Sequence, residues 1–344
     1  MPINNQDYAL VIGIDDYPQY TPLRGAKNDA RRFADWLKDQ QTGGGLPDDH
    51  CKCILSSSSP LTPGWELVNS KLLEIHDQAQ TTGKRRFYFY FSGHGQTSTS
   101  SEVNLCLAQW TDQPHGLRMA LSYADWRTAI VDCSGFTEIL FLLDCCRTRI
   151  HGGGGLPPSL ACAKPAAGAT QAKTFIGYAT EFQNQAFEAE TQTDQPGETI
   201  YGGHFTEALL TGLYGGAAIP GGGVTPSKLK TYLEQWTPRL AKDAEDPEQN
   251  AVVEDGLPSY PAQAMLGSAA PTGTLTVEFG AGRSGPVQLF APDDSIVHEG
   301  GPGSSPWEIN DLRYGKYRLL DTVTQDEKTF DFQPCTTLKC VQFE

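Results

Sequence analysis

Two short stretches of this 344-residue chain combine an apolar run with side chains capable of covalent chemistry. The first, Arg85–Gln96, has an aromatic run that ends in Ser-Gly-His-Gly and carries His94. The second, Glu138–Arg149, has an aliphatic run that ends in Asp-Cys-Cys-Arg and carries Cys145 and Cys146. A thiolate beside an imidazole is a nucleophile with a proton-transfer partner. The residue types therefore indicate nucleophilic catalysis, provided that the fold brings the two stretches together.

The elements around these residues predict a fold that would do so. Short apolar runs such as Phe87–Phe91 and Ile139–Leu143 are typical of strands buried on both faces of a parallel sheet. Ligands of open parallel sheets bind beyond the carboxyl ends of the strands, so His94 and the cysteines should face one crevice. Further strands are predicted at Tyr8–Ile14, Cys51–Leu55, Thr174–Ala179 and Gln263–Leu266, with helices between them that include Gly25–Asp39 and one capped by Thr62.

Composition divides the chain. A stretch at 149–172 is rich in glycine, proline and alanine and predicts a flexible linker, and the acidic stretch Glu188–Tyr201 predicts an exposed loop. From Thr274 onward, short alternating runs predict a separate β-sandwich. We therefore expect a first domain over 1–268, made of regions 1–148, 149–172 and 173–268, and a small C-terminal all-β domain over 271–344.

Charge and hydropathy argue against a nucleic-acid-binding, a membrane-spanning and a secreted protein. The net charge of −15 argues against nucleic-acid binding, which requires basic surface. No apolar run approaches the roughly 20 residues that cross a bilayer, and the N-terminus lacks the pattern of a signal peptide. We therefore predict a cytoplasmic protein without membrane contact. The nine cysteines show no C-x-x-C spacing of a zinc site and are predicted to be reduced thiols.

The two motifs resemble those of the caspase–metacaspase family of cysteine proteases. YFSGHG is similar to the family's histidine motif, LLDCCR to its D-x-C motif, and YALVIGI to its first strand, so the resemblance covers residues 8–266. His94 precedes Cys146 by 52 residues, near the spacing of about 50 in caspases. The resemblance implies an α/β fold, a caspase-like three-layer sandwich with a mostly parallel six-stranded sheet.

The resemblance also implies roles for individual residues. Chemistry alone does not separate Cys145 from Cys146, but the D-x-C pattern places the nucleophile on Cys146. His94 would transfer protons, and the backbone N–H groups of Gly95 and Cys146 would hold the oxyanion. One departure is that metacaspases usually have His-Ser-Gly after the cysteine, where this chain has Arg-Thr-Arg.

Substrate preference follows from a second motif. The segment LRGAKND resembles the metacaspase L-x-G-C-x-N-D segment, whose aspartate lines the S1 pocket and falls on Asp29. The other pocket members fall on Ser92 and Asp144. Carboxylates bind a guanidinium through charge-assisted hydrogen bonds. The resemblance thus implies an endopeptidase that cleaves proteins or peptides after arginine or lysine.

A mobile linker that carries basic residues would be a site of autoprocessing. The basic residues in or beside the linker are Arg147, Arg149, Lys164 and Lys173. The chemistry requires no cofactor, although many metacaspases need calcium; no calcium ligands are assigned. The resemblance also implies a monomer, and the C-terminal domain is a candidate for binding a protein partner.

Two alternatives remain open at this stage. One is a catalytically silent caspase-like scaffold whose C-terminal domain binds a partner. The other is a more distant protease of the separase or CHAT type, which shares the histidine and cysteine but differs in its pocket.

Overall fold

The structure is a computed structural model that describes most of the chain. The described residues are 5–99, 102–113, 118–149, 154–160, 171–191, 200–219, 223–257, 266, 272–280, 282–302, 306–313, 315–332 and 338–343. By contacts, the chain forms two compact units. The first comprises Met1–Gln40, Gly44–Ala208 and Leu233–Pro258, and the second Gln41–Gly43, Leu209–Tyr232 and Ser259–Glu344. The domain boundaries expected from composition stay a prediction.

Strands and helices alternate through the first half of the chain and give way to strands alone near its end. The strands are β1 (Asp7–Gly13), β2 (Cys51–Leu55), β3 (Ser57–Ser58), β4 (Leu61–Thr62), β5 (Arg86–Ser92), β6 (Gly95–Thr99), β7 (Glu102–Cys106), β8 (Ala120–Ser122), β9 (Glu138–Asp144), β10 (Thr148–Arg149), β11 (Lys173–Tyr178), β12 (Glu188–Thr191), β13 (Ile200–Gly203), β14 (Val252–Asp255), β15 (Thr272–Phe279), β16 (Val287–Phe290), β17 (Ile296–Gly300), β18 (Trp307–Arg313), β19 (Gly315–Asp321), β20 (Glu327–Phe332) and β21 (Leu338–Phe343). The helices are α1 (Ala26–Lys38), α2 (Trp65–Thr82), α3 (Tyr123–Cys133), α4 (His204–Thr211) and α5 (Pro226–Asp243), with a 3-10 turn at Asp48–His50 and a π-helical turn at Gly212–Gly216.

A six-stranded sheet forms the centre of the first unit, in the order β14-β11-β9-β5-β1-β2. All of its neighbouring strands are parallel except β14, which is antiparallel to β11. The expected mostly parallel six-stranded sheet is therefore confirmed. Strand β5 lies between β1 and β9, and Ser92 pairs with Asp144. The side chains that follow β5 and β9 consequently emerge next to each other at the carboxyl edge.

Both faces of this sheet are covered, as the continuous apolar runs predict. Alternate residues of β1, β5 and β9 share one core with α2 and α3. On the opposite face, Phe33 of α1 stacks on Tyr90, with 4.7 Å between ring centroids, and Thr206 of α4 bonds to the Tyr90 hydroxyl at 2.6 Å. The sheet therefore lies between α2 and α3 on one face and α1 and α4 on the other, and these contacts hold its carboxyl edge in place.

Three local predictions differ from the structure. The sixth strand is Val252–Asp255 rather than Gln263–Leu266, of which 263–265 lie outside the described residues. Helix α2 has Gly64, not Thr62, as its N-cap. Glu188–Thr191 is strand β12, paired with β13, rather than part of an exposed loop. Strand pairing competes with local turn signals, and a single sequence does not reveal the partner strand.

The second unit contains two sheets, β18-β15-β21 and β17-β16-β19-β20. Their inward side chains form one core, which includes Leu289, Tyr317 and Phe332. This is the strand-rich C-terminal region that the alternating pattern predicts.

Two further findings concern membrane spans and cysteines. Within the described part of the chain, no helix has both the length and the apolar character needed to cross a bilayer. Cys133, the last residue of α3, is disulfide-bonded. The prediction that all cysteines are reduced is therefore wrong at Cys133, because a thiol's pairing depends on its neighbour in the fold rather than on local sequence.

Candidate active site

The histidine and the cysteines of the two motifs line one cavity at the carboxyl edge of the central sheet. This cavity has a volume of about 380 Å³. It is lined by Thr21, Leu23, Ala26, Asp29, Ser92, Gly93, His94, Asp144, Cys145, Cys146, Gln185, Ala186, Phe187, Glu188 and Gly203. Every predicted residue of the dyad and of the acidic pocket is among them, so the fold brings together side chains that are up to 117 positions apart in sequence.

His94 follows β5 and is held by a carbonyl group from another loop. Its Nε2 lies 2.7 Å from the backbone oxygen of Thr21. Because a carbonyl oxygen only accepts hydrogen bonds, this contact assigns the proton to Nε2 and leaves Nδ1 unprotonated in the neutral ring. Burial lowers the pKa of His94 below its usual value, although the Thr21 carbonyl opposes this shift. His94 is therefore a neutral imidazole at pH 7 that can accept a proton at Nδ1.

The structure distinguishes the two adjacent cysteines. Cys145 is only 3% exposed and packs in the core of the first unit, whereas Cys146 is half-buried. The Sγ of Cys146 accepts a hydrogen bond from the backbone N–H of Ala186 at 3.3 Å. Burial raises the pKa of the Cys146 thiol, which would therefore need a base to form the thiolate. These environments favour Cys146 as the nucleophile.

Gly95 begins β6 and approaches the Cys146 backbone closely. A Cβ atom at Gly95 would lie 2.3 Å from the Cys146 carbonyl oxygen and 2.6 Å from Cys145 Sγ. Neither contact could be relieved without moving backbone or core, so a side chain is excluded here. The close approach brings the backbones of Gly95 and Cys146 together, as a shared oxyanion site would require.

Two buried carboxylates form the floor of the cavity. Asp29, in the first turn of α1, is 1% exposed, and its Oδ2 accepts a hydrogen bond from the backbone N–H of Gly203 at 2.9 Å. Asp144, at the end of β9, accepts from the N–H and hydroxyl of Thr206 at 3.1 and 2.6 Å. Gly203 is the last residue of β13 and Thr206 lies in the first turn of α4, so the junction of these two elements orients the two carboxylates. The other oxygen of Asp29, Oδ1, is buried and has no hydrogen-bond partner among the residues that the structure describes.

Burial raises the affinity of both carboxyl groups for protons. Burial raises the pKa of Asp29 well above its usual range, and the charge of Asp144 adds to this shift. Burial likewise raises the pKa of Asp144 to about 6, which its bonds to Thr206 partly oppose. An empty pocket near neutral pH therefore retains a proton that a bound cation would displace. Ser92, the third predicted pocket residue, is buried beside them.

Several residues of the site carry no signal in the sequence. The Thr21 carbonyl and Tyr17 contact His94 from the loop after β1. Glu188 lines the cavity, and its carboxylate accepts hydrogen bonds from the N–H groups of Arg24 and Gly25 at 2.9 and 2.7 Å. Their roles come from backbone contacts that residue type does not predict.

The candidate autocleavage residues lie in different environments. Arg147 is 7% exposed; its guanidinium lies 4.3 Å from the centroid of the Tyr178 ring and bonds to the Thr180 carbonyl, which argues against cleavage after it. Arg149 in β10 and Lys173 at the start of β11 are exposed. Lys164 lies outside the described residues. No cluster of three or more metal-ligating side chains occurs among the residues that the structure describes, so no calcium ligands are assigned.

Comparisons with known proteins find a family model and a relative that are similar to this chain. A family model described as the caspase domain, Peptidase_C14, matches residues 6–250. A curated protein of a Desulfuromonadales bacterium, described as a probable protease, is 30% identical over 227 residues. That alignment covers 61% of this chain but only 26% of the relative, so the chain spans about a quarter of that relative's length.

Proposed function

Because this chain belongs to the caspase-domain family of peptidases, we propose that it is a cysteine endopeptidase that cleaves proteins after arginine or lysine through a dyad of His94 and Cys146. The observation that carries the proposal is the single cavity in which this dyad adjoins the buried carboxylates of Asp29 and Asp144. A cation in that pocket would pair with Oδ1 of Asp29, which has no hydrogen-bond partner within the described part of the chain.

The proposed reaction begins with proton transfer. His94 Nδ1 takes the proton of the Cys146 thiol, and the thiolate attacks the carbonyl carbon of the scissile peptide bond. The backbone N–H groups of Gly95 and Cys146 donate to the oxyanion. The imidazolium then protonates the leaving amine, which gives an acyl-enzyme and restores neutral His94. The same nitrogen then takes a proton from water, whose oxygen attacks the thioester carbonyl and breaks the C–S bond. The imidazolium returns this proton to the departing Cys146 thiolate, which releases the acid product and restores the enzyme.

Specificity would come from the carboxylates. An aspartate at the P1 position of a substrate would add a third carboxyl group to this buried pocket, where each further negative charge is costly. A guanidinium instead displaces the proton that the pocket retains and donates charge-assisted hydrogen bonds to the carboxylates.

The first test compares two fluorogenic peptides that differ only in a P1 arginine or aspartate. We expect cleavage after arginine by the wild type and no cleavage by the Cys146→Ala variant. Cleavage after aspartate would contradict the pocket assignment. If neither peptide is cleaved and an arginine-directed covalent probe does not label Cys146, the protein is a silent scaffold instead.

We also propose autoprocessing next to the linker, after Arg149 or Lys173, since both side chains are exposed. The intact mass of the purified wild type after incubation, compared with that of Cys146→Ala, tests this step. Fragments only in the wild type would support it, and an unchanged mass would exclude it.

A further inference from the structure

The loop between β1 and α1, Asp15–Leu23, encloses His94. Tyr17 from this loop is 2% exposed, and its ring contacts the imidazole of His94. Its hydroxyl donates a hydrogen bond to the carbonyl oxygen of Cys106 at 3.0 Å and accepts one from the backbone N–H of His94 at 3.0 Å. One buried hydroxyl thus joins the backbone of the histidine to the end of β7.

The rings of two tyrosines also restrict the imidazole. The centroid of the Tyr17 ring lies 4.6 Å from that of His94 at a tilt of 56°. The Tyr20 ring lies 4.8 Å away and approaches edge-on. Together with the bond from Nε2 to the Thr21 carbonyl, these contacts fix both the tautomer and the orientation of the ring.

The tyrosine is itself firmly held. The backbone N–H groups of Asp15 and Asp16 both donate to the Ser56 hydroxyl, at 3.0 and 3.1 Å. At Gly93, a Cβ atom would lie 2.6 Å from the Tyr17 hydroxyl oxygen, so the glycine before the histidine is what admits this hydroxyl. The arrangement therefore explains a residue of the histidine motif that the dyad chemistry does not require.

We propose that Tyr17 is a positioning residue for His94: its hydroxyl fixes the histidine backbone and its ring fixes the imidazole, so that Nδ1 stays available to accept the proton of Cys146. This inference rests on the proposed function, because it assigns Tyr17 a role in that reaction. Tyr17 touches neither substrate nor the reacting sulfur in the proposed mechanism.

A pH profile can report on His94 because the tyrosines and cysteines around it stay neutral over the measured range and bound substrate would occupy the carboxylates. Burial raises the pKa of Tyr17, Tyr20, Cys106, Cys145 and Cys146. The carboxyl groups of Asp29, Asp144 and Glu188 line the same cavity, and at saturating substrate a P1 arginine would occupy them. The acidic limb of kcat would therefore report His94.

The test compares Tyr17→Phe with the matched control Tyr8→Phe, which removes a buried hydroxyl that bonds to Thr82, away from the site. Two rates are measured from pH 5 to 8. These are kcat for an arginine peptide, normalised to titrated active sites, and alkylation of Cys146 by iodoacetamide, followed by peptide mass spectrometry. For Tyr17→Phe we expect both rates to fall about tenfold at pH 7, with KM changed less than twofold. Loss of the hydroxyl should loosen the packing around His94 and admit water. This removes part of the burial that lowers the pKa of His94, so the acidic limb should move upward, toward the ordinary value near 6.5.

The control should behave like the wild type in both assays. A Tyr17→Phe variant that loses thermal stability but keeps both rates and the pH profile would show a merely structural tyrosine and overturn the proposal. If that variant does not fold, hydrogen exchange in the wild type decides: a His94 amide that exchanges as fast as an exposed one is not bonded to Tyr17. A wild type that cleaves no arginine peptide refutes the proposed function, while alkylation still tests Tyr17.

Discussion

At the scale of residues, the proposed substrate pocket contains two carboxyl groups that cannot both ionise at low cost. Asp29 and Asp144 are buried, and each accepts hydrogen bonds from residues at the junction of β13 and α4. Their raised pKa values have consequences both for substrate affinity and for stability.

Asp29→Asn should abolish most of the preference for arginine. Loss of a charged hydrogen-bond partner predicts a fall of about 100-fold in kcat/KM for an arginine peptide. The matched control is Asp35→Asn, on the exposed face of the same helix, which should leave kcat/KM unchanged. Equal activity of the two variants would show that Asp29 does not bind the substrate.

The same substitution should stabilise the empty enzyme at alkaline pH. The folded pKa of Asp29 is raised by burial, so its contribution to stability is present below the unfolded pKa near 4 and is lost as pH rises through the folded value. Asparagine resembles the protonated carboxyl group. Urea unfolding should therefore show Asp29→Asn more stable than the wild type at pH 8, by on the order of 1–3 kcal/mol, and no difference at pH 4. A difference at pH 4 of equal size would contradict a titration effect.

KM for an arginine peptide should fall as pH rises from 5 to 7.5. Burial raises the pKa of Asp144 to about 6, and the cation binds the ionised form. Steady-state kinetics across this range, with a neutral P1 residue as control, separates this effect from the titration of His94, which changes kcat. A KM that does not depend on pH would show that ionisation of Asp144 does not control binding of the arginine peptide.

At the scale of elements, the segment Gln183–Glu188 crosses the site and is fixed by contacts distant in sequence. The backbone of Arg147 exchanges hydrogen bonds with Gln183 and Asn184 at 3.0 Å. The fully buried Gln249 accepts from the Phe187 N–H at 2.8 Å and donates to the Ala179 carbonyl at 3.1 Å. This amide thus ties the segment to the end of β11.

Gln249→Ala should loosen this segment. Two buried backbone groups would lose their partner, so we expect faster hydrogen exchange at Phe187 and a rise in KM of about tenfold. Asn250→Ala removes a neighbouring amide that bonds only to Glu248 among described side chains, and it should change neither quantity. An unchanged rate of amide hydrogen exchange at Phe187 in Gln249→Ala would show that Gln249 does not hold this segment in place.

The limit of the sequence is clearest at this scale. His94, Asp144 and Cys146 could be predicted because each follows an apolar strand within a few residues, and strand ends of a parallel sheet meet at one edge. Glu188 and Gln249 could not, because their roles depend on hydrogen bonds to residues 163 and 62 positions away. The sixth strand was misplaced for a related reason: Val252–Asp255 is short, and only its pairing with β11 makes it a strand.

At the scale of the whole molecule, the stretch 149–172, predicted to be a linker, separates two halves of the proposed active site. The dyad precedes it, whereas Gly203 and Thr206, which orient the carboxylates, follow it. Strands on either side of the linker, β9 and β11, pair in parallel over residues 138–143 and 173–178.

Cleavage in the linker should therefore leave an active complex. A recognition sequence for an unrelated protease, inserted between 161 and 170 in a Cys146-intact enzyme, allows a controlled cut. We expect the fragments to co-elute on gel filtration and to retain activity within about twofold, because the β9–β11 pairing and its buried core persist. Separation of the fragments, or loss of activity with the fragments still associated, would contradict this expectation.

The parallel pairing of β9 with β11 has one more consequence. Both strands are central, with β5 on one side and β14 on the other, so the boundary between the halves is an internal seam of the sheet rather than a surface contact. Two separately encoded polypeptides that end and begin in the linker would each expose an unpaired strand edge until they met. Each half would then be a template for folding the other. The rate at which active enzyme forms would depend on the product of the two polypeptide concentrations rather than on either concentration alone.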